Sequence, residues 1–184
     1  RPLAFLGNYQ GYIHADAYSG YDELFRKEGV VEVGCWVHAR RKFDESASSR
    51  PEEATEILAR IGRLYRLEKE WRDLGPEDRC RLRKTRARPI LEGIFSRLKE
   101  LKSATVPSEP LRGAVNYALN QREALCRYLQ DGRLKPDNPA CGGTTENAIR
   151  PLALGRKNRL FAGSERGARA AALFYSPGSI LQGL

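Results

Sequence analysis

Asp16 and Glu146, far apart in the chain, have the side-chain type and local setting for metal-assisted chemistry on phosphate. Asp16 closes the run Tyr9-Gln10-Gly11-Tyr12-Ile13-His14-Ala15, whose aromatic, β-branched and small residues read as a strand, so its carboxylate stands at a strand end. Glu146 follows Thr145, a residue able to cap a helix, and so stands at a helix start. Phosphoryl transfer on nucleic acid commonly uses two divalent ions about 3.5–4 Å apart, held by carboxylates. Mg²⁺ suits such a site because it takes hard oxygen ligands and keeps several waters. By themselves the two residues do not decide the matter, since the helix dipole favours a Glu in a first turn whatever the function.

Other residues carry competing readings. His14 precedes Asp16 by two positions and shares its side of the strand, where a satisfied or solvent-facing histidine is the plainer assignment. Cys35 and His38 are both zinc-ligand types, but a structural zinc needs four ligands and no second pair stands at suitable spacing. Trp36 and Trp71 are able to stack on bases, yet each falls within an apolar pattern that favours the core. Arg79, Arg81, Arg83, Lys84, Arg86 and Arg88 spread around much of a helix, which fits a solvated face and a DNA contact equally well. Arg150, Arg156, Lys157 and Arg159 follow Glu146 closely and are the preferred DNA-backbone contacts, which position DNA without reading its sequence.

The elements that must position these groups follow from periodicity. After the first strand a short helix is expected over 21–27. A second strand is expected over 30–37, because Val31, Val33, Cys35 and Val37 alternate. Helix is expected over 38–46. Ser49-Arg50-Pro51-Glu52 has the form of a capping box and opens a helix whose Ala54, Ile57, Leu58, Ile61, Leu64, Tyr65 and Trp71 make one apolar stripe. Gly75-Pro76 should stop it. Residues 76–102 read as a second long helix interrupted at Pro89, and 111–129 as another ended by Asp131-Gly132. A Pro, Gly, Asn and Thr-rich loop over 136–145 leads to Glu146, and an Ala-rich helix is expected over 165–175. Strand and helix at the front, helices throughout the middle and helix again at the end describe an α/β domain split by a helical insertion.

Composition sets the partners. The 184 residues carry 32 Lys plus Arg against 23 Asp plus Glu, a formal charge of +9, for which nucleic acid is the default anionic partner. Four cysteines without paired spacing and no signal-like opening run point to a reduced, cytoplasmic setting. No apolar run approaches the roughly 20 residues that cross a bilayer, so a membrane is not an expected partner. The chain has no methionine and begins at Arg1, which leads us to expect a fragment of a longer protein.

Four motifs stand in order: Tyr9 through Tyr21 around Asp16, Gly34-Cys35-Trp36-Val37-His38-Ala39-Arg40-Arg41-Lys42-Phe43, Glu146-Asn147-Ala148-Ile149-Arg150-Pro151, and Gly155-Arg156-Lys157-Asn158 with Leu160-Phe161-Ala162-Gly163-Ser164. Together they resemble the insertion-sequence-66 family of transposases over nearly the whole chain. The resemblance implies a ribonuclease-H-like catalytic domain, incomplete at its N-terminus, interrupted by a mostly α-helical insertion. On that reading residues 1–48 carry the second catalytic Asp, 49–135 form the insertion, and 136–184 carry the catalytic Glu. Asp16 and Glu146 would then be the second and third metal carboxylates, binding Mg²⁺ (or Mn²⁺), with Cys35 and His38 supporting the site. The implied reaction is DNA cleavage and strand transfer, with transposon ends and target DNA as partners, together with a homo-oligomer and helper proteins of the same element.

Departures from the family pattern shape the alternatives. Residues 1–15 contain no Asp or Glu, so the first carboxylate is expected from outside this chain or is lacking. Asp137-Asn138 is separated from Glu146 by Pro139-Ala140-Cys141-Gly142-Gly143-Thr144-Thr145, where the family has a shorter spacing. Ala17 stands where a Gly is usual, Arg159 where a Trp is usual, and Ser176-Pro177-Gly178 departs from a continuing helix. A decaying element or a frameshifted end would produce such changes. The alternatives are thus a catalytically inactive remnant that only binds nucleic acid, and a helical protein-interaction module over 49–129.

Overall fold

The structure, a computed structural model, describes residues 9–138. Glu146, Arg150, Arg156, Lys157, Arg159 and the helices expected beyond residue 139 lie outside the described residues.

Strand β1 (Gly11–Ala15) pairs in parallel with β2 (Val30–Gly34), in a register that sets Gly11 beside Val30 and Ala15 beside Gly34. Parallel neighbours need a crossover. Here a 3₁₀ turn (Ser19–Tyr21) and one short helix, α1 (Asp22–Phe25), supply it and bury Leu24. Asp16 therefore stands just past the end of β1, as its sequence context predicts.

The second strand is shorter than the alternating pattern predicts. It stops at Gly34, and Cys35, still extended at φ −107°, is the N-cap of helix α2 (Trp36–Ser46). Two features override the alternation of Cys35 and Val37. Trp36, Ala39 and Phe43 recur at helical spacing and are all buried. The Trp36 backbone N–H also donates to Pro136 O at 3.0 Å and its Nε1–H to Leu125 O at 2.9 Å, neither of them a ladder partner.

Helix α3 (Pro51–Glu70) buries Ala54, Ile57, Ile61 and Leu64 along the predicted stripe, with Trp71 at its end. The expected capping box does not form. Ser49 Oγ donates instead to Ser46 O at 2.9 Å, closing the preceding helix, and Arg50 occupies the N-cap without a side-chain bond. Pro51, Glu52 and Glu53 still favour this end, through a preset φ and through charge against the helix dipole.

The expected break at Pro89 takes a specific form. Helix α4 (Pro76–Leu82) continues through a π-helical turn (Arg83–Ala87) into α5 (Arg88–Ala104). Pro89 cannot donate to the carbonyl one turn earlier, and the widened turn accommodates the missing bond and the ring. The helix expected over 111–129 divides at Gln121 into α6 (Pro110–Asn120) and α7 (Arg122–Cys126), followed by a 3₁₀ turn (Arg127–Leu129).

Helices α2, α3, α5, α6 and α7 share one apolar core in which Trp36, Phe43, Ile57, Phe95, Leu98 and Tyr128 are among the buried members. The described residues are thus mostly helical, with a two-stranded parallel sheet at one side. Gly34 joins the two parts. A Cβ there would lie 2.9 Å from Leu125 N and 3.1 Å from Ala124 C, so only glycine lets α7 ride this close to the end of β2.

Candidate functional site

Asp16 is exposed, and among the described residues its carboxylate makes no hydrogen bond or ion pair. Its backbone carbonyl accepts the Tyr117 hydroxyl at 3.4 Å. Ala17 follows at φ 64°, in the left-handed region that favours glycine, and this sharp turn is what presents Asp16 at the strand end.

A second carboxylate belongs to this neighbourhood. Glu32 sits on β2 beside Ile13 and is half-buried. Burial holds its carboxyl above the ordinary range; the charge of Asp22 and, less strongly, that of Asp16 push the same way, while Arg127 opposes them. The motifs do not single out Glu32. The available signal is a carboxylate inside the apolar run Val30-Val31-Glu32-Val33. His14 is also half-buried, and among the described residues its Nδ1 is enclosed without a hydrogen-bond partner. Burial lowers its pKa and keeps the ring neutral. Among the described residues no group of three His, Cys, Asp or Glu is placed to hold a metal ion.

Cys35 and the start of α2 hold the segment that leads toward Glu146. Cys35 is fully buried, and its Sγ accepts the Asn138 backbone N–H at 3.3 Å. The Asp137 carboxylate accepts the Val37 backbone N–H and the Tyr65 hydroxyl, the latter at 2.5 Å. Burial raises the Asp137 pKa, and these two hydrogen bonds work against the rise. Burial, then the Asp137 charge, holds Tyr65 protonated far above its ordinary range. Residues 136–138 are thereby fastened to the first turn of α2 by Trp36, Val37 and Cys35, and to α3 by Tyr65. His38 lies half-buried in the same first turn.

Within the basic run over 79–88, Arg83 and Arg79 are structural, which corrects both readings for these two residues, while Arg81, Lys84, Arg86 and Arg88 are exposed. Arg83 is fully buried. Its Nε and Nη2 donate to Glu68 at 2.8 and 2.6 Å, and its remaining N–H groups reach the carbonyls of Tyr128, Asp131 and Leu134. All five donors of the guanidinium are committed. Arg79 donates to the carbonyls of Trp71, Arg72, Leu74 and Gly132. Arg81 pairs with Asp78, while Arg86 pairs with Glu70 and lies over the Trp71 ring. Trp36 and Trp71 are buried, as their apolar settings predict.

Comparison with known proteins decides the relationship that the motif order raised. The model described as Transposase IS66 family matches residues 1–170. The chain belongs to the IS66 transposase family. It is similar to three uncharacterized proteins of Sinorhizobium fredii (strain NBRC 101917 / NGR234). Identity to y4qI is 38% over 173 residues, covering 89% of this chain and 31% of that protein. Identity to y4jD is 30% over 178 residues, covering 93% and 34%, and to y4hP 29% over 189 residues, covering 94% and 34%. The chain thus spans about a third of the length of the relatives it matches. No solved structure matches it. Among the described residues no helix is long and apolar enough to cross a membrane.

Proposed function

We propose that this chain forms part of the ribonuclease-H-like catalytic domain of a DNA transposase, and that Asp16 and Glu146 hold Mg²⁺ or Mn²⁺ during DNA cleavage and strand transfer. The observation that carries the reading is Asp16 itself, an exposed carboxylate at the carboxyl end of a parallel strand pair, uncommitted among the described residues. Open α/β sheets place their ligands at that end. Family membership supplies the class of substrate, DNA.

The donor chemistry fits a hard divalent cation. Asp16 offers oxygen with no competing partner among the described residues, and the acidic side chains Asp16, Asp22 and Glu32 build up negative potential that a cation would relieve. When bound, such ions activate the attacking oxygen and stabilise the leaving oxygen. The chain's own residues do the rest. The Cys35 sulfur and the Val37 N–H fix residues 137–138, and with them the start of the segment that carries Glu146, while His38 supports the same turn. Arg150, Arg156, Lys157 and Arg159 grip the DNA backbone beyond Glu146. The division into 1–48, 49–135 and 136–184 follows, with the helices of the middle part packed on α2.

The test uses a full-length transposase containing this sequence. Asp16→Ala and Glu146→Ala are each expected to abolish strand transfer while DNA binding persists, and transfer retained by either variant refutes the assignment.

A further inference from the structure

The described arginines fall into two populations. Arg50, Arg83, Arg86 and Arg97, for example, are engaged by Glu109, Glu68, Glu70 and Glu56. Arg88, Arg122 and Arg127 make no ion pair among the described residues, although they come together. All three line one cavity of about 440 Å³ between α5 and α7. Arg122 lies over the Phe95 ring at 5.3 Å, which holds its guanidinium plane without using its hydrogen bonds. Among the described residues the Arg127 Nε is enclosed and has no hydrogen-bond partner. A buried guanidinium N–H left unpaired is costly, and guanidinium groups bind anions through charge-assisted hydrogen bonds. Glu92 and Glu123 also line the cavity, so three guanidiniums face two carboxylates and the balance is cationic. A second cavity of about 370 Å³ shares Arg122, Glu123 and Arg127 and reaches Glu32 on β2.

We propose that Arg88, Arg122 and Arg127 form a cradle for the phosphodiester backbone of DNA, continuous with the side of the sheet that carries Glu32. The cradle rests on the reading of DNA as the substrate. It adds to that reading a contact surface on α5 and α7, well before the basic residues that follow Glu146 in sequence. Bidentate, planar guanidinium groups suit phosphate oxygens, and such contacts set the position of DNA without sequence preference.

The 184-residue chain is titrated into a fluorescein-labelled DNA duplex at several NaCl concentrations, with anisotropy as readout. Each lost phosphate contact lowers the slope of log K against log salt by about 0.9, so Arg88→Gln with Arg122→Gln is expected to lower it by roughly 1.8 and to weaken binding about tenfold. Arg81→Gln with Arg86→Gln, whose side chains are held by Asp78 and Glu70, leaves slope and affinity unchanged. Arg88→Lys with Arg122→Lys keeps the charge and most of the slope, which separates a lost contact from a lost fold. The cradle is overturned if the Gln pair unfolds at the wild-type temperature yet keeps wild-type slope and affinity, if the chain binds no DNA, or if a polyglutamate peptide competes as well as DNA. The strand-transfer assignment fails separately. Transfer that survives Asp16→Ala while the Gln pair still lowers the salt slope removes the metal site and keeps the cradle.

Discussion

The Cys35 sulfur accepts the Asn138 backbone N–H at 3.3 Å, joining residues 103 positions apart. This bond sits beside the Trp36 N–H bond to Pro136 O and the Val37 N–H bond to the Asp137 carboxylate. Successive residues at the start of α2 thus bind successive residues of the incoming segment. These contacts let Cys35, Trp36 and Val37 hold residues 136–138 in place.

Cys35→Ala removes the buried sulfur that accepts the Asn138 backbone N–H. A stability loss of about 1–3 kcal/mol is expected from the lost hydrogen bond and the small cavity together. Urea denaturation should show a lower midpoint with an unchanged slope. An unchanged midpoint would mean that residues 136–138 are held without the sulfur.

Arg83 links α3 through Glu68 to the carbonyls of Tyr128, Asp131 and Leu134. Arg83→Ala strands the partly buried Glu68 carboxylate and three carbonyls, and breaking such a pair from one side costs about 3–5 kcal/mol. Arg83→Lys should recover little, because an ammonium has three donors where five are in use. Thermal denaturation of both variants checks this. If Arg83→Lys matched the wild type, the fork of the guanidinium would not be what holds the loop.

What the sequence revealed and what it hid follow from the range of the interactions. Asp16 at a strand end was legible because Tyr12, Ile13 and Ala15 report a strand within a few positions. The α3 stripe was legible for the same reason, since Ala54, Ile57, Ile61 and Leu64 repeat locally. Cys35 and Val37 misled because the partners that start α2 at Trp36, Leu125 O and Pro136 O, lie about 90 to 100 positions away. Arg83 looked like its basic neighbours because nothing local marks the π-helical turn that carries it into the core. Ser49 carried a capping pattern, but the N-cap falls on Arg50, and the Ser49 hydroxyl donates to Ser46 O in the preceding turn.

Ala17 occupies a left-handed conformation at φ 64° immediately after Asp16. An L-residue with a Cβ pays about 1–2 kcal/mol there, while glycine adds unfolded-state freedom that offsets about 0.4–1 kcal/mol. Ala17→Gly should therefore stabilise the chain by roughly 0.5–1 kcal/mol, read as a higher urea midpoint. A lower midpoint would show that the turn after β1 is not strained by Ala17.

Glu32 tests the electrostatics beside Asp16 without touching a proposed ligand. Burial first, then Asp22, raises its pKa above the ordinary 4.5, against Arg127, and Asp16 adds to the rise. A carboxyl whose pKa is higher in the folded state binds protons more readily there. Its contribution to stability is fully present below the unfolded value and is lost as pH climbs through the folded value. Glu32→Gln stays neutral at every pH, so it should be more stable than the wild type at pH 7. Because the side chain is half-exposed, solvent screening limits that advantage to about 0.5 kcal/mol. The advantage should shrink as pH falls to 4.5 and below, where Glu32 itself becomes protonated. Urea midpoints of both proteins at neutral and acid pH decide it. A Gln variant less stable at pH 7 than the wild type would mean that Arg127 outweighs burial and the neighbouring carboxylates, and that the sheet end beside Asp16 does not accumulate negative potential.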